Sequence, residues 1–299
     1  MDVMKATKTI IKSIVATIIS GLAMHAYAQT VDGTLDGAYG SPLATQTINT
    51  GFGDSNAGNG GDANGSELDA AYGVVSGGNL YLFIAGNIEN NGNHINIFIN
   101  SGQAGGQNTL NISGGWTASA MNGSVFSPGF NANLMLDAND YSGTIYVDQY
   151  VLSGAGSANS YLGAVPLSGG IGSGTLGGIA FGLNNGNTGG VNGNSGTAAN
   201  PSAANAVTTG LELGIPLSQL GNPTGPIEVL VDINGGGDGY LSNQLLPGLP
   251  VGTGNLGTST FNFGSTAGEF FVVPVPEPST LAICGLSGLA ALLAVRKRK

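Results

Sequence analysis

The sequence predicts an all-β protein, an antiparallel β-sandwich of jelly-roll type, and three observations carry that expectation. Short β-rich runs recur over residues 29–273 and alternate in character, as Ile95, Ile97 and Ile99 do against Asn96, Phe98 and Asn100. Asn-Gly dipeptides, a strong tight-turn signal, stand at 59–60, 64–65, 91–92, 122–123, 185–186, 192–193 and 234–235. No run in this stretch repeats apolar residues at helical spacing.

Taken in order, residues 1–28 predict an export signal. Lys5, Lys8 and Lys12 make a positive start, residues 13–24 an apolar core, and Ala26-Tyr27-Ala28 a small-residue cleavage site. The cut then falls between Ala28 and Gln29. Residues 29–273 form the sandwich domain. Its clearest strands are Leu80-Tyr81-Leu82-Phe83-Ile84 and the run from His94 to Asn100, followed by 144–151, 177–183, 211–215, 227–233 and 269–273. Residues 184–206 contain almost no large apolar side chain and read as a long surface loop.

Residues 274–299 form a third segment. Pro276-Glu277-Pro278 precedes an apolar run over 281–295, and Arg296-Lys297-Arg298-Lys299 ends the chain. As a helix, residues 280–295 span about 24 Å, close to a membrane crossing. Four terminal cations hold that end in the cytoplasm and leave the domain outside. The ordered triplet, transmembrane helix and basic end resemble the PEP-CTERM sorting signal of exported bacterial proteins. The resemblance implies an exosortase-type enzyme as partner. It also implies a precursor anchored in the inner membrane with its body outside, and a final place at the cell surface or beyond.

Charge narrows the function further. All seven basic residues lie in the two end segments, while residues 29–275 keep 15 of the 17 acidic ones, a charge of −15. Such a body repels phosphate backbones, so nucleic acid is excluded as a partner. With no Lys or Arg to pair, buried carboxylates must accept hydrogen bonds, bind cations or hold protons. The one cysteine, Cys284, lies in the apolar run, which leaves the body without disulfides or an ordinary structural zinc site.

Val31-Asp32-Gly33-Thr34-Leu35-Asp36, with Asn79-Leu80-Tyr81-Leu82 and Ile97-Phe98-Ile99-Asn100, resembles family 9 carbohydrate-binding modules and related sandwiches. Asn100 stands where that pattern has Asp, and Trp116 is the only tryptophan for sugar stacking. The resemblance implies the sandwich fold. Two functions follow: a structural or adhesive component of the exopolysaccharide or biofilm matrix, or a module that recognises matrix polysaccharide. No enzyme is expected, because His94 is the body's one histidine and no G-x-S-x-G elbow accompanies it. Asp232, Asn234 and Asp238, spaced along a glycine-rich turn, are candidate calcium ligands, since hard Ca²⁺ favours carboxylate and carbonyl oxygens. Asp62, Asn64, Glu67 and Asp69 form a second candidate cluster.

Overall fold

The computed structural model describes residues 29–57, 63–258, 260–266 and 268–276. The export signal through Ala28, Glu277 and Pro278, the apolar run and Arg296, Lys297, Arg298 and Lys299 lie outside the described residues, as does Asp62. Among the described residues no helix is long and apolar enough to cross a membrane.

Gln29–Val275 forms one compact unit. Its strands are β1 (Ala44–Thr45), β2 (Asn56–Ala57), β3 (Ala63–Asn64), β4 (Glu67–Ser76), β5 (Asn79–Asn87), β6 (Asn91–Asn100), β7 (Leu134–Tyr141), β8 (Thr144–Ser153), β9 (Gly156–Pro166), β10 (Ile171–Leu176), β11 (Ile179–Asn184), β12 (Gly210–Pro216), β13 (Ile227–Asn234), β14 (Leu241–Leu246) and β15 (Phe271–Val273). One sheet runs β1-β4-β5-β12-β11-β10 and the other β14-β13-β6-β7-β8-β9, with β15 also paired to β13. Every strand pairing is antiparallel. The expected sandwich is present.

Two apolar layers explain why β6 and β13 hold the centre. Ile95, Ile97 and Ile99 of β6, with Val229, Val231 and Ile233 of β13, face the other sheet and pack with Leu80, Leu82, Leu211 and Leu213. The opposite face of the same strands is not left to solvent. Phe98, Met135, Leu230 and Tyr150 build a second core with Ile112, Met121, Phe126, Phe130 and Phe263, which the covering loops supply. The alternation of β6 therefore separates two cores rather than inside from outside, and Asn96 is fully buried. A third cluster, Tyr39, Tyr72 and Phe83 with Val207, seals part of the other sheet's outer face.

Residues 184–206 form the expected loop, exposed along most of its length, with two differences. Asn185, Asn187 and Val191 are buried, and a helical turn over Pro201–Ala204 begins under the Asn200 cap. Small residues let this segment lie close to the sheet. Gly190, at φ +113, passes so near the Asp69 carboxylate that any Cβ there would overlap it.

Candidate functional site

Antiparallel register assembles a polar patch on the loop-covered face of β13, β6 and β7. Asp232 pairs with Asn96, and Asn96 with Asp137; two residues along, Asn234 pairs with His94, and His94 with Asn139. Partners in register on one sheet face stand about 5 Å apart. Two rungs, Asp-Asn-Asp and Asn-His-Asn, thus lie beside the apolar rung of Leu230, Phe98 and Met135. The turn after β13 returns Asp238 to them. Its φ of 52° is left-handed, and its N–H donates to the Gly235 carbonyl at 3.0 Å.

The expected trio Asp232, Asn234 and Asp238 is brought together, although Asp232 and Asn234 stand inside β13 and only Asp238 lies in the turn. Asn96 Nδ2 donates to Asp232 Oδ1 at 3.2 Å and to Asp238 Oδ1 at 3.1 Å, and Asn234 Nδ2 lies 3.4 Å from Asp238 Oδ1. The Thr117 hydroxyl donates to Asp238 Oδ2 at 2.7 Å. His94 sits within β6 rather than opening it. Its Nδ1 is 2.7 Å from Asp137 Oδ1 and 3.7 Å from Asp238 Oδ2. Its Nε2 accepts from the Gly237 N–H at 3.4 Å and faces Asn139 Nδ2 at 3.3 Å. These partners fit the tautomer with the proton on Nδ1.

Burial dominates the electrostatics. It pushes the Asp137 carboxyl up to about 6, with Asp238 adding to the rise and His94 opposing it. Asp232 is raised well above the carboxylate range by the same desolvation, with repulsion from Asp238 and Asp137 adding to it. Burial lowers His94, but the Asp137 hydrogen bond and the surrounding carboxylates outweigh it and raise its pKa.

A pocket of about 390 Å³ opens beside the cluster, lined by Asn91, His94, Trp116, Thr117, Asn139 and Tyr141 with Gly92, Gly236 and Gly237. Trp116 is 81% exposed and Tyr141 58%. Trp116 can stand there because Gly115, at φ +75, crosses the Tyr150 ring too closely for any Cβ. A larger pocket of about 560 Å³, lined by Tyr81 among glycine, serine and threonine, offers no exposed ring.

Of the second expected cluster, Asp62 lies outside the described residues and two carboxylates can be placed. Glu67 and Asp69 meet across Asn187, a residue from the segment expected to be a surface loop, and all four carboxylate oxygens accept hydrogen bonds. Sequence reasoning missed Asn96, Asp137, Thr117 and Asn187. Alternation in β6 places Asn96 and His94 on one face, but no local signal in β7 or the loops points to the others.

Residues 274–299 match the PEP-CTERM protein-sorting motif. The chain thus carries the signal of an exported, membrane-anchored precursor handled by an exosortase-type enzyme. No curated protein and no solved structure matches it.

Proposed function

We propose that the body is a non-enzymatic, adhesive component of the cell surface or extracellular matrix, and that it holds exopolysaccharide in the pocket of Trp116 and Tyr141. The observation that supports this is the pairing of two exposed aromatic rings with amide side chains around one pocket. Sugar rings present C–H faces to an aromatic platform and hydroxyls to amides, and they need no cationic residue from a body that has none. The non-enzymatic reading is supported by His94, whose Nε2 accepts from a backbone N–H and faces an amide rather than a hydroxyl nucleophile.

The test is saturable binding of the full chain, in detergent, to a glycan array and to matrix polysaccharide. Trp116→Ala and Tyr141→Ala should each weaken binding by about tenfold or more. If the protein is enriched in the matrix yet no glycan binds, the purely structural reading stands instead.

A further inference from the structure

We infer that the cluster beneath this pocket is a calcium site built from Asp137, Asp232 and Asp238 together with the side-chain amide oxygens of Asn96 and Asn234. The inference concerns the buried cluster alone and does not depend on sugar binding.

Asp137 and Asp238 offer carboxylate oxygens within 4.8 Å of each other and of a His94 nitrogen, and Asp232 joins them through the shared Asn96 Nδ2. All four side chains are buried, and among the described residues His94 is the titratable group of opposite sign there. That crowding alone is also met by protons. The stronger observation is a set of orphaned oxygens. Asp232 Oδ2, Asn96 Oδ1 and Asn234 Oδ1 are buried and accept no hydrogen bond among the described residues. Each belongs to a fully buried side chain whose other terminal atom already touches a second member of the cluster, so the heads are directed into it. Leaving such an oxygen unmatched costs about 1–3 kcal/mol, and native interiors seldom tolerate three together. A half-turn of the Asn96 and Asn234 amides replaces nitrogen by oxygen at the same place. A cation between the carboxylates then meets Asp232 Oδ2 and the two turned amide oxygens and offsets the charge, at the expense of the Asn234 Nδ2 contact with Met121 Sδ.

The donors select the ion. His94 is already engaged through both nitrogens, one toward Asp137 and the other by Gly237 and Asn139, and so it orients a ligand instead of supplying one. What remains is carboxylate and amide oxygen, the set preferred by hard cations. Five such oxygens held by sheet strands and a turn suit the larger, irregular shell of Ca²⁺ better than the compact octahedron of Mg²⁺. The ion would also tie Asp238, and with it Thr117 and the Gly236-Gly237 wall, to the sheet.

The full chain, purified in detergent and stripped with EGTA, tests this without any glycan. Calcium at a hundredfold excess over Kd should raise Tm by about 5–10 °C, with one ion bound per chain by calorimetry. Magnesium should give a much smaller shift. Asp232→Asn combined with Asp238→Asn should abolish the shift. Should that variant fail to fold, Tb³⁺ supplies a second readout on the wild-type chain: light absorbed by Trp116, the only tryptophan, should sensitise its emission, and calcium should displace it. No calcium binding, equal response to magnesium, or tighter binding of zinc than of calcium would each overturn the assignment. Calcium binding without glycan binding leaves it intact and sinks only the sugar reading.

Discussion

Two buried acidic clusters in this body meet the same problem, charge without Lys or Arg, in different ways. At Glu67 and Asp69 the fold brings donors. The Ser55 and Val191 N–H groups and both contacts of Asn187 Nδ2 leave no carboxylate oxygen unmatched. Burial still pushes Glu67 up to about 8 and raises Asp69 well above its usual range, so this pair keeps a proton at neutral pH. Around Asp232 the amides donate inward but strand their own oxygens, and Asp232 Oδ2 has no donor. The first network is matched within itself, whereas the second leaves buried oxygens unmatched, which is the basis of the ion proposed above. Acidic residues close in sequence therefore do not tell the two clusters apart; the state of their oxygens does.

That contrast can be broken most forcefully at Asn187. Asn187→Asp removes the donor that bridges Glu67 and Asp69 and adds a third carboxyl to the group. At pH 8 it should cost about 3–5 kcal/mol in urea unfolding, as loss of a buried charge's partner does, and recover partly at pH 5. Equal stability at both values would show that the bridge carries little weight.

A smaller effect comes from proton linkage. Glu67 has a folded pKa of about 8 against 4.5 for the free side chain. A raised pKa means the folded state holds the proton more tightly, so its stabilisation is complete below about 4.5 and is lost as pH rises through about 8. In EGTA the wild type should be more stable at pH 5 than at pH 8. Glu67→Gln should flatten that slope by on the order of 3 kcal/mol. An unchanged slope would place the titration elsewhere, for example at Glu212, which burial raises to about 7.

The smallest effects separate the two regions. Glu67→Gln should leave the calcium-dependent rise in Tm within about 1 °C of wild type, because its network lies apart from the orphaned oxygens. Trp116→Ala should change Tm equally little, since its ring is 81% exposed and surface substitutions rarely exceed about 0.5 kcal/mol. A large loss from either would mean that the regions are coupled or that Trp116 serves packing.

Strands with strong β character were legible. The runs at 80–84, 94–100, 144–151, 211–215 and 227–233 fall within strands, while those at 177–183 and 269–273 begin two residues ahead of β11 and β15. Those that escaped have physical reasons. β9 is an edge strand, mostly half-buried or exposed and composed mostly of small and polar residues, so it shows no apolar alternation. β4 mixes alanine and glycine with buried Glu67 and Asp69, and β14 buries Ser242, Asn243 and Gln244. A polar residue in a strand reads as solvent-facing unless a covering layer is known. The same ignorance hid the burial of Asn96, because its lid is assembled from loops distant in sequence.

The sequence by itself determined the all-β class, the distribution of charge and the sorting tail, because composition, period-two alternation and an ordered linear motif are local properties. It also nominated Asp232, Asn234 and Asp238, which lie within seven residues of one another. Only the tertiary structure decided the strand order, the second core behind β6, and the meeting of Asp137, Asn96 and Thr117 with that trio. Only it distinguished the two acidic clusters, because whether a buried oxygen has a donor depends on what other segments bring to it. Strand register sets those encounters, and register is fixed by pairing across the sheet rather than by neighbours along the chain.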